Sequence, residues 1–232
     1  MIRVGRILNS NDRIELDGFV PIVVMTKSSK YGSLSPYELK IDGMIIENIW
    51  QFSKIYEEIP ASKQPYSRYV STVIWNHPAE KHFVNGKITQ EYLHWRTKGF
   101  NNKYAVRYPV GYNHRHKCIG SIIDPYIETP ILLNYIDTRK KIYLPYYVHA
   151  VRQQPQFQEL KQMLSNNINI LIMEVDGPHQ ESLSYYQEKY KVDDNFINKG
   201  TMLATKENLE IMLNDDKHPF GHGYCLAKAL LD

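Results

Sequence analysis

KYGSLSPYELKIDG (residues 30–43) runs directly into MIIENIWQFSK (residues 44–54), and the hydrophobic period changes where they join. Before the join, Tyr37–Ile41 is a β-type run and Asp42-Gly43 is a turn dipeptide. Beyond it, Ile45, Ile49, Phe52 and Tyr56 recur at i, i+4, i+7 and i+11, which is one face of a helix. Extended chain, tight turn and amphipathic helix in that order ask for a mixed α and β fold.

The flanks agree. Ile2–Leu8 and Phe19–Met25 are further β-type runs, with Asp17-Gly18 as a turn between them. Pro60 and Pro65 end the helix, Val70–Trp75 reads as a strand, and Thr89–Lys98 as a helix begun by Thr89 and closed by Gly99. From Phe100 to Pro125 the pattern is irregular and basic. Pro130–Ile136 and Lys141–Ala150 read as a hairpin around Asp137-Thr138-Arg139. Phe157–Leu164 is helical in pattern, and Ile168–Val175 is a buried strand ending at Asp176-Gly177-Pro178. Glu181–Tyr190, Met202–Leu213 and Tyr224–Leu231 complete a helical C-terminal third. With no repeat and no linker, the expectation is a single α+β domain over 1–232, a small mixed sheet surrounded by helices.

Composition narrows the class. The chain has 232 residues, 43% hydrophobic and 23% charged, which excludes disordered, collagenous and coiled-coil proteins. That length buries roughly 70% of the unfolded surface. No apolar run approaches the roughly 20 residues of a membrane span, so no membrane partner is expected. The opening MIRVGRILNSNDR puts polar residues where a secretory leader needs apolar ones. Cys118 and Cys225 cannot build a disulfide framework, which points to a reducing, cytoplasmic setting. A net charge of +3 does not by itself imply nucleic acid.

Four groups of residues carry potential chemistry. On the helix after Gly43, Glu47, Gln51 and Lys54 fall at i, i+4 and i+7 and share a polar stripe beside the apolar one. It is either a pocket wall or a solvated outer face. Near the C-terminus, Asp215 and Asp216 precede a Gly221–Gly223 turn and a helix start. That arrangement suits a phosphate, or simply a helix cap. Between Arg96 and Lys117 six basic residues, Arg107 and Arg115 among them, stand with Tyr104, Tyr108 and Tyr112 and no acid. They suit a nucleic-acid backbone, a nucleotide's phosphates, or a solvated loop whose tyrosines pack inward. His77-Pro-Ala-Glu80-Lys-His82 and His114-x-His116-x-Cys118 contain metal-ligand types, but Pro78 prevents helical alignment of the first and the second lacks a fourth ligand. Surface loop histidines and no metal are expected. Trp75 and Trp95 read as core, and Tyr185 and Tyr186 as packing residues.

The first and second groups together resemble the NADAR family, the YbiA-like N-glycosidases. Tyr31, Gly32, Ser35, Gly43, Glu47, Trp50, Gln51 and Lys54 match its N-terminal signature. Leu203, Ala204, Thr205, Leu209, Asp216, Phe220 and Gly221 match its C-terminal pattern. Phe220 stands where the family usually has Trp, and the acid lies about one place off, so Asp216 is the choice and Asp215 the reserve. The segment 129–190 has no counterpart and is expected to be an insertion. The resemblance implies a YbiA-like fold and hydrolysis of the N-glycosidic bond of a nucleotide, a ribosylated base or an ADP-ribosylated base, without a cofactor. It implies Glu47 as the carboxylate nearest the sugar and Asp216 as partner acid/base. Lys54 would hold a phosphate or hydroxyl, Trp50 or Phe220 would stack on the base, and Gly221 to Gly223 would meet the phosphate. Tyr31, Gly32, Ser35, Gln51 and Arg107 complete the expected substrate contacts. An inactive nucleotide- or nucleic-acid-binding protein of the same fold, or a base-exchanging transferase, would use the same residues.

Overall fold

The structure is a computed structural model that describes residues 1–7, 14–26, 28, 30–127 and 130–232. In chain order its principal elements begin with β1 (Ile2–Arg6), β2 (Phe19–Val23), α1 (Ile46–Phe52), β3 (Lys54–Ile55), β4 (Ser62–Ser67) and β5 (Val70–His77). Then come α2 (Gln90–Phe100), β6 (Gly120–Ser121), α3 (Tyr135–Thr138), α4 (Leu144–Val151) and α5 (Pro155–Ser165). β7 (Asn169–Glu174), α6 (Leu183–Tyr190), β8 (Thr201–Leu203), α7 (Lys206–Asn214) and α8 (His222–Leu231) follow. The chain is mixed α+β and forms two compact units, residues 1–39 with 147–232, and residues 40–146. No helix among the described residues is long and apolar enough to cross a membrane.

The first unit is built on a four-stranded mixed sheet in the order β8-β1-β7-β2. β1 and β2 each run parallel to β7, and β8 runs antiparallel to β1. Ile170, Leu171, Ile172 and Met173 are all buried, so β7 lies in the middle with both faces covered. An uninterrupted apolar run is what a two-faced parallel strand requires. α8 packs against β1 and β7, and α5 against β7. The stretch expected as an insertion at 129–190 therefore supplies the strand around which this sheet forms; its first residue, Thr129, lies outside the described residues. So does Leu8, the expected end of the first strand.

The second unit is held by an aromatic core. Phe52, Tyr56, Trp75, Tyr92 and Trp95 are buried together with Ile55, Val106 and Val110. Phe52 meets Trp95 and Trp75 at centroid distances of 4.5 and 4.7 Å. Trp75 and Trp95 are core residues, as expected. Thr89 caps α2, its Oγ1 accepting from Tyr92 N at 3.2 Å. Gly99 lies inside that helix, which runs on to Phe100, and only hydrogen at that position leaves room for the Phe52 ring.

Several elements differ from the sequence expectation, among them the stretch around Pro65, which is strand β4, and Tyr37–Ile41, of which only Lys40–Ile41 is extended in a strand. The helix expected to reach Tyr56 stops at Phe52: Ser53 Oγ donates to Ile49 O at 2.7 Å, and Ile55 then pairs with Gly120 as a strand. Of the residues expected as a hairpin, those from Tyr135 onward are helical instead, while Leu133 makes an isolated antiparallel bridge to Ser121. Asn134 caps α3 by accepting from Asp137 N at 2.8 Å, and a π-helical turn, Arg139–Tyr143, precedes α4. Pro145, with no N–H to donate, follows that turn closely, and a widened turn accommodates such an interruption. Met202 is a strand residue paired with Val4, so the helix expected over Met202–Leu213 begins only at Lys206, capped by Thr205.

Candidate active site

The polar stripe on α1 is a buried row. Glu47 is 5% exposed and Gln51 7%, so the solvated-face alternative does not hold. The Gln51 amide donates from Nε2 to Glu47 Oε1 at 2.8 Å and accepts at Oε1 from Lys54 Nζ at 2.9 Å. The two ends fix the amide's orientation, since a carboxylate only accepts and an ammonium only donates. Helical spacing brings the first pair together. The second pair spans the end of α1, where Ser53 bends the chain into β3. Lys54 Nζ lies 4.8 Å from the Trp50 ring centroid, and Trp50 packs on Tyr143 at 5.0 Å. Burial pushes the Lys54 ammonium below its usual value, while Cys118 and Glu47 oppose the shift.

The basic stretch divides into an inward and an outward part. Arg96 is buried; it donates to the carbonyls of Ile122 and Ile123 at 2.8 and 2.6 Å and to Tyr92 OH at 3.0 Å. It is a structural cation. Arg107 over Tyr108 (5.2 Å) and Arg115 over Tyr112 (3.6 Å) form cation–aromatic pairs, and the two rings meet edge to face at 5.1 Å. Arg107, Tyr112 and Arg115 are exposed. Burial raises the Tyr108 phenol, Arg107 opposes that, and Glu47 adds to it, so Glu47 is within electrostatic reach of this cluster.

The expected residues of the first unit are engaged in its own structure. Tyr31 is buried and donates to Glu159 Oε1 at 3.1 Å. Gly32 opens the short 3-10 turn Gly32–Leu34, and buried Ser35 closes it through its N–H to Gly32 O. Phe220, expected to stack on a base, is buried and stacks on Tyr224 at 5.2 Å. Asp216 is solvated, its side chain 71% exposed and paired with Lys189 Nζ at 2.8 Å. Its reserve Asp215 is fully buried, because Tyr185 and Tyr186, expected only to pack, both donate to it at 2.7 Å. Glu47 belongs to residues 40–146 and Asp216 to the other unit.

The glycine turn holds an anion of the protein's own. Gly223 N donates to Glu174 Oε1 at 2.8 Å, and His222 Nδ1 lies 3.1 Å from Glu174 Oε2. A Cβ on Gly221 would fall within 2.1 Å of Glu174 Oε1. The phosphate expected at Gly221 to Gly223 is thus displaced by a carboxylate, which satisfies the same helix N-terminus. Glu174 was missed in the sequence because it ends an apolar strand and carries no motif. His222 Nε2 donates to Val24 O at 2.7 Å.

The histidines of the first metal-type motif are buried, contrary to the surface-loop expectation: His77 is 7% exposed and His82 0%. Pro78 does prevent a helix, but the end of β5 and the following turn make both rings converge on Glu80. Its Oε2 lies 2.7 Å from His77 Nε2 and 3.4 Å from His82 Nε2. Burial pushes His82 down to about 4, so it is a neutral imidazole. The three side chains offer ligand atoms within 4.8 Å of one another. However, both Nδ1 atoms are buried without a hydrogen-bond partner, whereas ligating histidines almost always have one there. Among the described residues, His114, His116 and Cys118 do not form a comparable group.

Compared with protein-family models, curated proteins and solved structures, the chain matches none of them.

Proposed function

We propose that this chain is an N-glycosidase of the NADAR, YbiA-like kind, acting on a nucleotide or a ribosylated base, with Glu47 as the carboxylate at the sugar. The observation that carries the proposal is the hydrogen-bonded row of buried Glu47, buried Gln51 and half-buried Lys54. A buried carboxylate is costly unless hydrogen-bonded, and this one is held in a fixed orientation by an amide that an ammonium orients in turn.

Cleaving a C–N glycosidic bond builds positive charge on the sugar, and a preorganised carboxylate in a low-dielectric site stabilises that charge. Gln51 stands between the Glu47 carboxylate and the Lys54 ammonium and hydrogen-bonds both. The Arg107–Tyr108 and Arg115–Tyr112 pairs supply cations for phosphate and ring faces for a base. Asp216 is not assigned a role, because it is solvated and bound to Lys189. Hydrolysis needs only water.

The test is release of free base, followed by chromatography, from NAD, ADP-ribose-modified nucleosides and nucleoside monophosphates. Wild type releases base from at least one of them; Glu47→Gln loses at least about 100-fold in rate while binding within a few-fold of wild type. Binding without release from any ribosylated substrate would make the chain a binding protein. Release with a second base replacing the first would make it a transferase.

A further inference from the structure

Ser182, His218 and Asp215 form an unbroken hydrogen-bonded row within the unit of residues 1–39 and 147–232. Ser182 Oγ is 2.9 Å from His218 Nε2, and His218 Nδ1 is 2.6 Å from Asp215 Oδ2. Asp215 also accepts from Tyr185 OH and Tyr186 OH, each at 2.7 Å, and from Lys217 N at 3.1 Å. Burial works to raise its carboxyl, but the hydrogen bonds from Tyr185, Tyr186, His218 and Lys217 together hold it below the usual value.

The tautomer follows. An ionised carboxylate only accepts, so Nδ1 carries the imidazole proton and Nε2 turns its lone pair to Ser182. Tyr186 OH also lies 3.0 Å from Nδ1, but its proton goes to Asp215. Ser182 itself is displaced from an ordinary duty. It occupies the N-cap position of α6, where a serine hydroxyl usually accepts from a first-turn N–H, yet its side chain makes no cap bond. The row is reachable, with Ser182 half-buried and the His218 side chain 10% exposed.

We propose that Ser182 is a nucleophile, activated by His218 and oriented through it by Asp215, in an acyl-transfer site for small carboxylic esters. Nucleophile, base and orienting group are each within hydrogen-bond reach of the next, the arrangement by which a weak hydroxyl nucleophile is activated. The Ser182 Oγ proton passes to His218 Nε2 as Oγ bonds to the carbonyl carbon. The carbon–oxygen bond to the leaving alcohol then breaks, and the alcohol takes the proton from Nε2. Water repeats the cycle on the acyl-serine, releasing the acid and restoring the hydroxyl. The positive end of α6 starts at the residue after Ser182 and favours the oxyanion. This site does not depend on the role of Glu47.

The experiment treats the whole folded chain with an alkyl fluorophosphonate, in which Oγ bonds to phosphorus and fluoride leaves, and locates the adduct by peptide mass spectrometry. The expected result is a single adduct on Ser182, absent from heat-unfolded chain and from Ser182→Ala. Asp215→Asn slows labelling by about 100-fold or more, since it unsettles the tautomer. Folded chain that gains no adduct, or an adduct that survives Ser182→Ala, overturns the proposal. The comparison of folded with unfolded wild type decides the matter even if Asp215→Asn does not fold.

Discussion

Glu174 Oε1 accepts the backbone N–H of Gly223 at 2.8 Å, so the last strand residue of β7 caps the first turn of α8. The contact ties the central strand to the helix packed on it. It also explains two glycines at once: a Cβ would fall within 2.1 Å of the carboxylate at Gly221 and 2.9 Å at Gly223.

Gly221→Ala is therefore expected to destabilise the chain by about 1–3 kcal/mol, the range for forcing a methyl into a filled site. Its backbone is extended and tolerates alanine, so the cost is steric. Thermal unfolding followed by circular dichroism measures it, and an unchanged midpoint would refute the capping account.

Gly99→Ala sets two effects against each other. Inside a helix, alanine gains about 1 kcal/mol over glycine. Here the added carbon would lie 2.1 Å from the Phe52 ring, and overpacking costs about 1–3 kcal/mol or more when neighbours cannot move. Phe52 is wedged between Trp75 and Trp95, so the clash wins and the variant is less stable. Trp50, Trp75 and Trp95 all lie in residues 40–146, so tryptophan emission in urea reports this unit. A higher urea midpoint would mean that the ring gives way.

His82 makes the same unit acid-sensitive. Burial holds its imidazole down at about 4, against 6.5 ordinarily. The unfolded chain therefore takes up a proton that the folded chain refuses. His82's contribution is complete above pH 6.5 and lost as pH falls towards 4, amounting to about 3 kcal/mol. His82→Phe should flatten that slope in urea titrations at pH 7.5, 5.5 and 4.5. An identical slope in the variant would assign the effect elsewhere.

Arg107→Ala with Arg115→Ala should weaken nucleotide binding at least about tenfold, or 1.4 kcal/mol, and leave the unfolding free energy in urea within about 0.5 kcal/mol because both side chains are exposed. For a mononucleotide the affinity depends weakly on salt; a steep dependence that relaxes in the double variant would identify a polynucleotide instead. Isothermal titration at two salt concentrations separates them.

Much of the secondary structure was legible in the local pattern. The apolar run at Ile168–Val175 announced a buried strand, and Thr89 marked a helix start that the structure uses as a cap. The errors cluster where local signals compete. Met202 and Leu203 continue a helical period on paper, but pairing with β1 draws them into the sheet. Asp137-Thr138-Arg139 looks like a turn, but the Asn134 cap makes it helical.

Periodicity alone established that Glu47 and Gln51 share one side of a helix, because 3.6 residues per turn is a property of the local backbone; Lys54 lies beyond the end of that helix and reaches Gln51 from β3. Whether that side meets water or protein was decided only by what folds against it, and it is buried. The same holds at the other end of the chain. Adjacent aspartates at 215 and 216 are chemically alike in sequence, yet two tyrosines, a histidine and a backbone N–H gather around one while the other faces solvent. Spacing along a chain encodes direction within an element and the partners three or four residues away; burial, and partners such as Tyr185 and Tyr186 on Asp215, come from residues distant in sequence that only tertiary packing brings together.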